Sequence, residues 1–291
     1  MDFKSAAELL ALCKEHQLPI SEVMKQRECA LAETTSDLIR YRMQEALHIM
    51  RESATTPIKS PGKSMGGLIG GEAKKLSQHQ ARGLDICGPV LSRAITYSMA
   101  VLEVNASMGL IVAAPTAGSS GVVPGLLLAL QDVYKISDDR LVDALFNAGA
   151  VGYLAMRNAT VAGAVGGCQA EVGVAAAMAA SAAVELMGGA PAQCLDAAST
   201  VLMNMLGLVC DPVGGLVEYP CQNRNAAGVA NALTAAELAL SGIRQHIPFD
   251  EMLDAMFTVG KRMPVELRET ALGGCAATPA GCTMCGGCGM G

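Results

Sequence analysis

The sequence predicts an all-α protein, on three observations. Apolar residues recur at helical spacing along nearly the whole chain, while alternating β-branched runs are almost absent. Hydrophobic residues make up 51% of the 291 positions but aromatics only 3%, with no Trp, so bulk comes from Ala, Leu, Val and Met. Gly and Pro fall in clusters between the periodic segments rather than inside them, which makes them punctuation. The chain is long enough to bury a large core without disulfides.

Taken in order, residues 2–15 and 21–52 read as amphipathic helices, with Leu9, Leu10 and Cys13 on one face and charges on the other. Residues 53–71 break the pattern with two prolines and five glycines and form the first loop candidate. A helix starts again at GEAKKLSQHQ, and another runs over 89–113 until VAAPTAGSSGVVPG interrupts at 112–125. Further helices are expected at 138–158, 170–187, 191–209, 224–241 and 249–262. The stretch AGAVGGCQAEVGVAAAMAASAAVELMGG reads as a helix packed closely on all sides. With no repeat and no boundary in view, residues 1–291 form one compact helical domain, ending in a Cys/Gly-rich tail at 282–291.

Composition excludes several classes. Charge is sparse, 27 acids against 21 bases, with no Lys/Arg block and few stacking aromatics, so no nucleic-acid partner is expected. Mean hydropathy is positive. Yet the longest uncharged stretch, Val104 to Gln131, holds Asn105, Pro115, Pro124 and a Gly/Ser cluster, so no membrane span is expected. The N-terminus has an acid at position 2 and no signal-peptide cleavage pattern. Eleven cysteines without a secretion signal point to a reducing cytoplasm.

Two nucleotide signatures fail. Gly62-Lys63-Ser64 resembles the end of a phosphate loop, but Pro57 stands where that pattern needs glycine. The glycines of 66–71 follow no strand. Both Gly/Ser loops instead run into helix starts, whose free N–H groups suit a small carboxylate. The 62–71 loop reads equally well as a simple cap. Thr116, Ser119 and Ser120, polar residues within apolar sequence, are the better candidates for ligand binding, because burying them idle is costly.

The cysteines fall into sets. Cys13, Cys29, Cys87 and Cys194 lie in ordinary helical context and read as core. Cys282, Cys285 and Cys288 form C-x2-C-x2-C, a cluster or zinc spacing without a fourth ligand before the chain ends at Gly291. Cys168, Cys210 and Cys221 each stand at a helix end beside Gly or Pro: Cys168 and Cys221 where helices begin, Cys210 closing one. Helix starts favour thiolates, the metal-binding form, and three ligands leave a metal position open.

GCQAEVG at 167–173, VCDPVGGLVEYPCQNRNAAG at 209–228, APTAGSSGVVPG at 114–125 and RETALGGCAATPAG at 268–281 resemble the alpha chains of the iron-sulfur-dependent L-serine dehydratases. The resemblance runs from the N-terminal helices to residue 281. It implies that Cys168, Cys210 and Cys221 hold a [4Fe-4S] cluster with one iron free of a fixed cysteine. It further implies a cytoplasmic lyase that deaminates L-serine to pyruvate and ammonia, the open iron acting as Lewis acid while a base, not identified by the sequence, takes the α-proton. Met65 and Ile69 replace hydroxyl residues that the family tends to carry in the 62–71 loop. The tail also departs from most alpha chains, although single-chain relatives end in a cysteine that can occupy the open iron. The Ser-Ser-Ser-His-Thr motif of the family's beta chain surrounds none of His16, His48, His79 or His246, so a separate beta chain is expected as partner. The reading from a different class is a non-catalytic zinc or iron-sulfur module built on Cys282, Cys285 and Cys288.

Overall fold

The structure, a computed structural model, describes residues 1–284. It is all-α. Helix α1 (Ala6–His16) is capped by Ser5, whose hydroxyl accepts the Glu8 N–H, and α2 (Ile20–Leu31) follows. The helix expected over 21–52 is in fact two: the chain breaks after α2, Glu33 takes a positive φ, and Thr35 caps α3 (Ser36–Lys59) by accepting from Leu38 N. Thr-Ser-Asp at 35–37 is an N-cap signature. Helix α3 also runs past residue 52 and takes Pro57 into its last turn, where one missing N–H costs only one bond.

Helices α4 (Glu72–Ala81) and α5 (Gly88–Ala106) are followed by an irregular stretch and then α6 (Val122–Tyr134), which the periodicity missed. Pro124 had marked that region as a loop, but it lies in the first turn of α6, where N–H groups need no partner. Then come α7 (Asp138–Asn158), α8 (Gly163–Gly166), α9 (Val174–Leu186) and α10 (Pro191–Asn204). Helix α10 stops at Asn204 rather than continuing to 209. Helices α11 (Cys221–Leu240), α12 (Phe249–Arg262) and α13 (Pro279–Met284) complete the described chain. The single strand-like pairing among the described residues is a parallel bridge between Cys210 and Arg268.

The small residues decide the packing. Helix α9 is buried on every side, touching α6, α7, α10 and α11. Helices α5 and α6 meet through Ala94 and Ser98 against Gly121 and Gly125; a Cβ at Gly121 would come within 2.2 Å of Ser98 O. Such close backbone approach is what the Ala/Gly-rich composition permits. Buried residues from α1 to α12 join in one continuous core, and the irregular segments between α5 and α6, α8 and α9, and α10 and α11 meet at its edge. No described helix is long and apolar enough to cross a membrane.

Candidate metal centre and its polar surroundings

Cys168 is delivered by a tight turn. Gly167, at φ 74°, must be glycine, because a Cβ would stand 2.6 Å from Met263 Sδ and 2.9 Å from Leu208 O. Cys168 then opens a π-helical turn, Gln169–Gly173, that runs into α9. Such turns concentrate at functional sites. Gln169 brings the chain after α10 alongside: its N–H donates to Leu208 O at 3.0 Å and its side-chain oxygen accepts Gly207 N–H at 2.8 Å. That places Cys210 beside Cys168. Cys210 does not close a helix, as its sequence context suggested; it lies in extended chain, donating to Leu267 O at 2.9 Å and accepting from Glu269 N at 2.7 Å. Cys221 is the first residue of α11.

All three cysteines are buried, at 3%, 4% and 8% exposure. The Cys210 thiol lies within hydrogen-bond reach of both the Cys168 sulfur and Glu171 Oε2, the latter at 3.5 Å. That bond holds Cys168 below the usual thiol pKa, and it pushes Cys210 up, with burial adding to the rise. Burial, then the charge on Cys168, pushes Cys221 up to about 12. Metal binding by this set would therefore release protons.

Glu171, which sequence reasoning missed, joins the thiols to the second loop. Its Oε1 accepts the Thr116 hydroxyl at 2.9 Å, and burial raises its pKa. Gly163 makes room for it: a Cβ there would fall 2.4 Å from Glu171 Oε2 and 3.1 Å from Cys210 Sγ. Thr116 is half-buried. Ser119 and Ser120 are fully buried; Ser119 lies 3.1 Å from the Thr116 hydroxyl and Ser120 donates to Ala117 O at 2.7 Å. Their hydroxyls thus brace the turn from within. Asn225, one turn into α11, ties the turn to Cys221: its side-chain N–H donates to Gly118 O at 2.8 Å and Cys221 O at 2.9 Å, and its oxygen accepts Gly121 N–H at 3.1 Å.

The first Gly-rich loop is closed by the protein itself. Glu218 accepts the Ser64 hydroxyl at 2.6 Å, Gly66 N–H at 2.5 Å and Leu68 N–H at 3.0 Å. Glu103 accepts Gly71 N–H at 3.0 Å and Ala73 N–H at 2.9 Å at the start of α4. Both glutamates are 2% exposed. Val217, beside Glu218, packs over Gly118, so the segment between Cys210 and Cys221 touches both loops.

The remaining cysteines separate cleanly. Cys13 and Cys194 are core thiols, each pushed up by burial, Cys13 to about 11. Cys29 is half-buried, and Cys87, expected in the core, is exposed ahead of α5. Cys282 lies in α13 with its sulfur 3.6 Å from Ala276 O, while Cys285 and Cys288 fall outside the described residues. Cys275, not assigned to any set by sequence, hands its N–H to Asp211 Oδ2 at 2.6 Å.

Cysteine thiols are the donors that an iron-sulfur cluster takes. Among the described residues, no His, Cys, Asp or Glu group closes on a point as the ligands of one metal ion do. A cluster spreads its thiolates over separate irons, so its ligands need not converge on one point, and Cys168, Cys210 and Cys221 are three such donors, all buried.

A family profile described as the serine dehydratase alpha chain matches residues 15–276. This chain belongs to that family. It is 47% identical to a probable L-serine dehydratase alpha chain of Bacillus subtilis, over 96% of this chain and 93% of the relative. It is 42% identical to the L-serine dehydratase alpha chain of Peptoniphilus asaccharolyticus, over 95% of each. An L-serine dehydratase of Helicobacter pylori is 37% identical over 95% of this chain, which covers 62% of that longer protein.

Proposed function

We propose that this chain is the catalytic subunit of an iron-sulfur L-serine ammonia-lyase, converting L-serine to pyruvate and ammonia with a [4Fe-4S] cluster on Cys168, Cys210 and Cys221. The observation that carries the reading is Glu171, which meets the Thr116 hydroxyl with one oxygen and the Cys210 thiol with the other, with Cys168 beside Cys210. Bound there, the cluster supplies Lewis acidity at an iron without a fixed cysteine, which eases departure of the serine hydroxyl.

The chain's residues hold the substrate in register with that centre. With Glu171 protonated and donating to the Thr116 oxygen, the Thr116 hydroxyl hydrogen is free for the serine carboxylate, and Ser119 and Ser120 keep the turn in shape from beneath. Glu171 fixes Thr116 relative to Cys210. Because burial makes it hold its proton to higher pH than an ordinary carboxyl, it places less negative charge beside an incoming carboxylate. Loss of water leaves an enamine that tautomerises and hydrolyses unaided.

A separate beta chain completes the enzyme in this proposal. The names of the Bacillus and Peptoniphilus relatives support it, as does the added length of the Helicobacter protein. Unpaired thiols and an exposed-iron cluster suit a reducing cytoplasm. The test is anaerobic reconstitution with iron and sulfide, followed by a pyruvate assay with the beta chain. Expected are a brown protein and serine-dependent pyruvate, both retained in a chain cut after Gly281. A colourless, zinc-loaded protein whose metal disappears with the tail would overturn the proposal in favour of a module on Cys282, Cys285 and Cys288.

A further inference from the structure

We propose that Arg224 is the positioning residue of this centre: one guanidinium that braces the segment carrying Cys210 against the helix carrying Cys221 and fixes a positive charge beside the thiolates. The inference rests on the cluster reading above.

Arg224 stands three residues after Cys221 on α11, so the two share a helix face. Its Nη1 donates to Val209 O at 2.9 Å and stands 2.6 Å from Asp211 Oδ1. Those two partners flank Cys210 on either side. The Asp211 contact is a close ion pair. The other carboxylate oxygen is fixed by Cys275 N–H at 2.6 Å, so the anchor cannot swing away.

Cys210 needs such a brace. It belongs to no helix, and among the described residues its backbone is held by the two bonds to Leu267 and Glu269. The pair is well shielded, with side-chain exposures of 15% for Arg224 and 2% for Asp211, so the charge is weakly screened. Arg224 also lies close enough to Cys168, Cys221 and Cys275 for its charge to act on all three thiols. Each thiolate deepens the negative charge beside the Asp211–Arg224 pair, and Arg224 is the cation that meets it. Charge and brace are separable. Glutamine removes the charge, whereas lysine keeps the charge on a stem without the planar fork.

The test compares wild type, Arg224→Gln and Arg224→Lys as reconstituted holoenzymes with the beta chain. Two quantities are read: iron retained against increasing chelator, and the cluster's midpoint potential by titration followed with electron paramagnetic resonance. Both variants should surrender iron at roughly 10- to 100-fold lower chelator, the usual cost of losing an outer-shell partner. Reduction adds one negative charge to the cluster, so the Gln variant should show a lower potential, while Lys stays at the wild-type value. A Gln variant with the wild-type potential would overturn the assignment, however much iron it loses. If Gln loads no cluster at all, Lys carries the test: wild-type iron retention in Lys would overturn it equally. Failure of the wild type itself to take up a cluster would instead sink the reading of the whole site, this inference with it.

Discussion

The Ser64–Gly71 loop and the Thr116–Ser120 turn both carry Gly and Ser into the first turn of a helix, and by residue type they look interchangeable. The chain treats them in opposite ways. Glu218 and Glu103 reach into the first loop and take its N–H groups and the Ser64 hydroxyl, leaving a closed structural clamp. The second turn receives no such carboxylate on its N–H groups; it spends two buried serines on its own shape and turns the Thr116 hydroxyl toward Glu171 and the thiols. A helix start is thus an opportunity for an anion and not yet a site. What decides is whether the protein fills it first.

The sharpest break of that comparison is Glu218→Ala. It would take the partner from three donors of the first loop, the buried Ser64 hydroxyl and the part-buried Gly66 and Leu68 N–H groups, at roughly 2–3 kcal/mol in total. Urea unfolding should show that loss, and a change below about 1 kcal/mol would mean the loop is not clamped. On the other loop, Thr116→Val keeps the shape and removes the hydroxyl. It should raise KM for serine by about 5- to 150-fold, equivalent to 1–3 kcal/mol for a bond to a charged group, with iron content unchanged. Ser120→Ala should instead cost about 1 kcal/mol of stability, for its bond to Ala117 O, with a far smaller change in KM. If Ser120 moves KM more than Thr116 does, the division between shaping and contacting residues is wrong.

The smallest effect belongs to Glu185, a buried carboxylate on neither loop that accepts Ser21 N–H and the Asn147 amide and whose pKa burial raises. A raised folded pKa gives stability that is fully present below the unfolded value of about 4.3 and is lost as pH rises through the folded value. Glu185→Gln should therefore gain on wild type as pH is raised from about 4 toward 7. A constant gap between the two in unfolding experiments across that range would remove burial as the cause.

Much of the fold was legible because helix periodicity and Gly/Pro punctuation agree: α7 and α12 fall at 138–158 and 249–262 as expected. The misses have physical causes. Proline in a first turn looks like a breaker from sequence, which hid α6, and a good N-cap signature was overridden by continuous amphipathicity between α2 and α3. At the centre, spacing and helix-end context brought out Cys168, Cys210 and Cys221; all three are buried, with Cys168 and Cys210 in contact. Glu171, Asn225 and Glu218 stayed hidden because their importance lies in partners 55, 104 and 150 or more residues away. For the two glutamates the one local signal was a charge inside the otherwise apolar AEVG and LVEYPC, whereas Asn225 sits in the polar run QNRN and had none.

The most direct measurement is iron and sulfide per chain after anaerobic reconstitution of wild type, Cys168→Ser, Cys210→Ser, Cys221→Ser and, as a buried thiol outside the centre, Cys13→Ser. Each of the three site variants should lose the cluster absorbance, while Cys13→Ser keeps both the wild-type iron content and the colour. Full iron and sulfide in all three site variants would contradict the assignment of the centre.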